Sequence, residues 1–250
     1  MTTLVLLKKE LTEHLRTHKL LIVSVLLLVF GMASPLVLAY LPKILEMVGE
    51  NLVVQVPDFI PADAVKSYLD SLGQVGLLAA ILISMGAIAL ERERGTAVLV
   101  LSKPVGTGSF VVAKLLGLGA VLLAGMVAGA LGNYGYTAVL LDRPDVTSFV
   151  AANLLAGLYL LAVISLTLFF STLIRNQIGA GVASLGVVLA GGLLSLVPAL
   201  EPYLPSSLMH WAYSVNAGDG DSRWAALAVT WALIIVCSVA SWRVLHRQEM

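Results

Sequence analysis

The sequence predicts an all-α integral membrane protein, a single domain of six transmembrane helices behind an amphipathic N-terminal helix, with both termini cytoplasmic. Three observations carry this. Of the 250 residues, 59% are hydrophobic and only 12% charged, with mean hydropathy +0.95, whereas soluble domains carry roughly 25% charged residues. Six stretches contain no Asp, Glu, Lys, Arg or His, and each reaches the roughly 17–25 residues that cross a bilayer core. The basic residues cluster on one side of those stretches.

Residues 1–19 come first. Leu4, Leu7, Leu11 and Leu15 form a stripe with Lys9, Glu13 and Arg16 opposite, the pattern of a helix lying in the inner leaflet. His14 and His18 are spaced i, i+4, which would place two imidazoles on one metal. They flank the leucine stripe without an evident third ligand, so no metal is expected. Leu20–Leu41 is the first span. It is too long for a secretory h-region and no Ala-x-Ala pattern closes it, so it reads as a retained helix.

A long outer segment, 42–71, follows, in which Asp58, Pro61 and Asp63 predict a short helix starting near Pro61. The second span covers 72–90. The third covers about 111–141, with Leu115–Leu141 free of charge. It exceeds the length required and is expected to tilt or break near Gly129, Gly132 and Gly135, beside Asn133, Tyr134 and Tyr136. Gly125-x-x-x-Gly129 fits a close helix contact. Spans at 149–174 and 178–200 are joined by a tight hairpin at Arg175–Gln177. Residues 201–223 carry Pro202, Pro205, Trp211 and Tyr213 and read as an outer segment that partly re-enters the bilayer, its aromatics at headgroup level. The last span, 224–242, holds the single cysteine, Cys237, read as an ordinary core thiol.

Orientation follows from the basic residues. Eleven (Lys8, Lys9, Arg16, Lys19, Arg92, Arg94, Lys103, Lys114, Arg175, Arg243, Arg247) fall on the side of the termini and four (Lys43, Lys66, Arg143, Arg223) on the other. This positive-inside bias predicts that both termini are cytoplasmic; the cell (cytoplasmic/inner) membrane is the expected location.

Composition also excludes functions. A net charge of +0 gives no reason to expect nucleic acid, and one thiol builds neither a disulfide framework nor a cysteine metal site. The charge-free stretches lack the ionisable groups by which ion-coupled carriers bind their coupling ion. No paired acids or activated nucleophile falls at membrane depth, and there is no phosphate loop for nucleotide. The chain reads as non-catalytic and without a cofactor of its own; energy for uphill movement would come from a partner.

The segment after the second span is the most informative: Glu91-Arg92-Glu93-Arg94-Gly95-Thr96, an apolar run Val98–Leu101, then Ser102-Lys103-Pro104-Val105. Snorkelling at the membrane flank accounts for the arginines. It does not account for an apolar patch rimmed by charge, which points to docking of another protein. This segment, with Lys114-Leu115, resembles the first cytoplasmic loop of ABC transporter permeases of the type 2 exporter class. Lys8-Lys9-Glu10-Leu11 with Arg16 resembles the elbow helix of that family, and Leu204-Pro205 its outer re-entrant region. Where the family often has an arginine after Pro-Val, this chain has Gly106-Thr107-Gly108. The resemblance implies the membrane subunit of an exporter, pairing with a second permease copy or a homologous permease and driven by separate cytoplasmic ABC ATPase subunits that bind the ATP and Mg. It implies that Glu91, Arg92, Glu93, Arg94, Gly95 and Thr96 form the coupling contact, with Gly95 allowing the turn. Membrane lipids and a partner on the outer face at 42–71 complete the expected partners. A stand-alone channel or carrier and a membrane scaffold are the alternatives.

Overall fold

The computed structural model describes residues 2–48, 59–93 and 106–248. They are helical, with no strand among them: α1 (Thr2–Arg16), α2 (Lys19–Val48), α3 (Pro61–Glu93), α4 (Thr107–Leu140), α5 (Val146–Leu173), α6 (Gln177–Leu194), α7 (Ser207–Ala217) and α8 (Trp224–Gln248). Six of these, α2–α6 and α8, are long and apolar enough to cross a membrane. Successive spans run in opposite directions. α1, the ends of α3, α5 and α8 and the starts of α2, α4 and α6 therefore share one end of the bundle, called here the termini end. α3, α4 and α5 form the buried centre, and α2, α6 and α8 the rim.

Local chemistry sets the helix ends. Pro61 occupies the first turn of α3, where its missing N–H costs nothing, and the Asp63 carboxylate accepts the Ile60 N–H at 3.0 Å. Asp145 accepts the Ser148 N–H at the start of α5, and Asn176 accepts the Ile178 N–H at the start of α6, both at 2.8 Å. α6 stops at Leu194 and continues only as turns, short of the expected residue 200. Pro198 is the reason, since it has no N–H and its ring clashes with the Leu194 carbonyl one turn back.

Of the tilt or break expected in the third span, the break does not occur; α4 is continuous through Gly129, Gly132 and Gly135. Its glycines serve packing instead. A Cβ on Gly31 of α2 would collide with the Gly129 carbonyl oxygen, and one on Gly125 would meet Val23 Cγ1 at 2.8 Å. The two backbones touch only because both positions lack side chains. Near this crossing Pro35 leaves the Gly31 carbonyl without its helical donor. The Asn133 amide of α4 replaces it, Nδ2 to O 3.2 Å. Asn133, fully buried, is thus the polar repair of a proline gap.

At the opposite end, α7 lies back against α5 and the start of α3, tied by Asn216 Nδ2 to the Ala62 carbonyl (2.8 Å) and by Tyr213 to Asp70. Trp211 is packed inside, edge-on to Trp224 at 5.2 Å, so the exposed aromatics here are Trp224 and Tyr203, not the expected Trp211.

Candidate functional site

The site lies at the termini end, where α1, the last turn of α3 and the first turns of α4 converge. Its floor is Gly117 of α4. A Cβ there would meet Glu10 Cβ at 3.1 Å and His14 Nε2 at 3.5 Å, so the glycine lets α1 lie directly on α4. The face α1 presents to the bundle is Leu6–Glu10–His14, one residue per turn, with Glu10 only 2% exposed. Leu4, Val5 and Leu15 point outward. The leucine stripe therefore faces the surroundings, as an interfacial helix requires, while an acid and an imidazole face the core.

One turn before Gly117, Lys114 is buried and answers that acid. Its Nζ lies 2.9 Å from Glu10 Oε2 and 2.7 Å from Glu91 Oε1, and 5.5 Å from the centroid of the Phe110 ring. Lys9 adds a looser, half-exposed cation 3.7 Å from Glu10 and 3.9 Å from Glu91. The charge-free stretches seen in the sequence remain so, but α4 begins at Thr107, which places Lys114 two turns inside a long apolar helix. Carboxylate oxygens of Glu10, Glu13 and Glu91 lie within 4.8 Å of one another; the Lys114 ammonium sits against two of them and supplies the compensating charge. A wholly buried carboxylate, a largely buried one and a buried ammonium hold together only as a set.

His14 completes the cluster. Burial, then the nearby Lys19 and Lys114 cations, pull its pKa from the ordinary 6.5 down to about 4, against a smaller opposing effect of Glu13. It is therefore neutral near pH 7. His18 takes no part. It ends α1 in a left-handed conformation, φ 56°, exposed, so the two imidazoles do not share a helix face and the i, i+4 metal geometry is absent.

The last turn of α3 is held from the other side by α5. Arg92 Nη1 donates to the Thr172 carbonyl at 2.6 Å, one of the carbonyls a helix C-terminus leaves open. The Ser171 hydroxyl donates to the Met85 carbonyl and accepts the N–H groups of Ile88 and Ala89. Of the residues that the sequence singles out, Glu91 and Arg92 are thus turned into the bundle and Glu93 is exposed; Arg94, Gly95 and Thr96 lie outside the described residues. Lys114 and Glu10 belonged to recognised patterns. Ser171 carried no sequence signal.

A family model described as ABC-2 family transporter protein matches residues 4–250. The uncharacterized transmembrane protein YxlG of Bacillus subtilis is 24% identical over 240 residues, covering 94% of this chain and 93% of that protein.

Proposed function

The chain belongs to the ABC-2 family of transporter proteins, and on that premise we propose that it is the permease subunit of an ATP-binding-cassette exporter. Members of this family are in general non-catalytic membrane subunits that work with ABC ATPase subunits. In our reading two ATPase subunits engage the termini end, which is the cytoplasmic face, and two permease chains pair to enclose the path. The positive-inside bias supports that orientation. The rim helices α2, α6 and α8 expose apolar surface, which supports contact with lipid and with a second copy.

The observation that carries the reading is the buried Glu10–Lys114–Glu91 cluster. It joins three elements at the base of the segment that the family pattern assigns to coupling. A push on a loop moves a membrane helix only if the loop's base is stiff, and desolvated ion pairs are stiff because separating them leaves bare charge in an apolar setting. Glu91 and Arg92 then anchor the segment, while exposed Glu93, with Arg94, Gly95 and Thr96, presents the contact.

The test is isolation of the chain from its native membrane in mild detergent, with ATP hydrolysis measured on whatever accompanies it. A stoichiometric ATPase is expected, and Glu93→Lys should weaken its retention while the chain still inserts. A chain that emerges alone from several detergents overturns the permease reading; full retention by Glu93→Lys overturns the contact assignment.

A further inference from the structure

α3 is not one straight rod. Its regular helix stops at Ser84 and resumes at Ala89. Within the turn, Ala87 N–H reaches back only to Ser84, at 3.0 Å. An unbroken helix would bond Ala89 N–H to the Met85 carbonyl. Here the Ser171 hydroxyl of α5 stands between those two groups. It donates to Met85 O at 2.9 Å and accepts from Ala89 N at 2.9 Å and from Ile88 N at 3.1 Å. A hydroxyl has one proton and two lone pairs, and all three are used. Insertion of a side chain into the ladder is a recognised cause of a helix kink, and here the inserted group belongs to another helix. Gly86, inside the turn, packs on the Gln177 side chain of α6, where a Cβ would meet Oε1 at 2.9 Å.

We propose that Ser171 is the positioning residue of a hinge at Met85–Ile88, fixing the angle of Ala89–Glu93 and passing its movement to the end of α5. This rests on the coupling reading above. Ser171 is fully buried and holds three backbone groups that no other described residue satisfies. The bond from Arg92 to the Thr172 carbonyl grips the neighbouring residue of α5 and makes the tie two-point. The other hydroxyls of these helices behave differently. Ser84, Ser165 and Thr167 bond carbonyls of their own helices and bridge nothing.

Hydrogen exchange in the full permease–ATPase complex, with and without MgATP, tests this. In Ser171→Ala the amides of Ile88 and Ala89 lose their acceptor and should exchange about tenfold faster. Ser84→Ala, which removes an equally buried hydroxyl one turn away, should leave them unchanged. In the wild type, MgATP should alter exchange both at Ala89–Glu93 and at Phe169–Leu173. In Ser171→Ala the first response should persist and the second be much weakened, because only the Arg92 tie remains, a split that general destabilisation does not produce. Unchanged exchange at Ile88 and Ala89 overturns the hinge, and an undiminished response at Phe169–Leu173 overturns its role in transmission. A wild-type complex without any MgATP response at Ala89–Glu93 sinks the coupling reading itself, and the positioning role falls with it.

Discussion

Each end of the bundle carries a carboxylate beside two basic groups, but the termini end adds a second carboxylate, Glu10, and takes that acid and its lysine almost wholly out of water. At the termini end, Glu91 meets Lys114 and, at longer range, Lys9, while Lys114 also engages Glu10; Glu10 and Lys114 are almost wholly buried. At the opposite end, Glu201 accepts from Arg223 and pairs with His210 Nδ1 at 2.9 Å; the His210 side chain is half exposed, and those of Glu201 and Arg223 are part-buried but still within reach of water. Water that can reach a pair competes for it and screens it, so an exposed pair contributes about 0–1 kcal/mol. Where water is excluded, removing one partner strands the other charge, at a cost of about 3–5 kcal/mol. Ion pairs closed to water make a stiff joint at one end, and pairs that water reaches make a looser tether at the other.

Breaking the buried set should give the largest effect. Lys114→Met keeps the length of the stem but leaves Glu10 and Glu91 facing each other without their buried cation. A loss of about 3–5 kcal/mol is expected, read as a lower unfolding midpoint in a chemical denaturant series in detergent. Exchange protection of α1 should fall with it, because Glu10 is the polar contact of that helix with α4. Glu201→Gln at the other end should cost less than about 1 kcal/mol. Equal costs would mean that the termini-end cluster is hydrated.

A change of pH should separate the ends next. The docked state holds His14 near pKa 4 and an undocked α1 returns it to its ordinary 6.5. The undocked state therefore binds the extra proton. The contribution of His14 to docking is complete above pH 6.5 and erodes as the pH falls toward 4. Exchange in α1 should accelerate over that window, and His14→Gln should flatten the response. Glu201 moves the other way along the axis. Hydrogen bonds from His210 and Arg223, then the Arg223 charge, hold its carboxyl below the ordinary value of 4.5. Its stabilising contribution is present above 4.5 and is lost only as the pH falls through that lowered value, so α7 should stay docked while α1 loosens.

Much of this could be read in the sequence, for reasons particular to each element. The six spans were legible because a bilayer tolerates few composition patterns, and the polar flank at 91–96 because charge beside an apolar run is conspicuous. Asn133 stood out as a polar interruption, although nothing linked it to Pro35, ninety-eight positions earlier in the chain. The burial of Lys114 was hidden because Gly106-Thr107-Gly108-Ser109 reads as loop, whereas the helix starts there. The hinge was hidden more deeply. Ser165, Thr167 and Ser171 sit in one apolar run, and whether a hydroxyl bonds its own helix or a neighbour's broken ladder is decided by tertiary placement, which has no period. The leucine stripe of α1 pointed to the lipid side, while the face that docks, Leu6–Glu10–His14, carries only one apolar residue and gave no hydrophobic periodicity to find.

Salt gives the smallest effect and the sharpest contrast. Raising ionic strength from 0.1 to 1 M shortens the screening length from about 10 Å to about 3 Å, which matters only where ions can approach. Arg223→Gln should cost less than about 1 kcal/mol at the lower salt and almost nothing at the higher, because the Glu201 pair is already screened there. The cost of Lys114→Met should be the same at both concentrations, since no ion reaches a lysine 3% exposed between two carboxylates. Parallel denaturant series of the two variants at the two salt concentrations make the measurement. If the Lys114→Met cost shrinks with salt in step with that of Arg223→Gln, the base of the 91–96 segment is wet and flexible, and a mechanical role for it loses its physical basis.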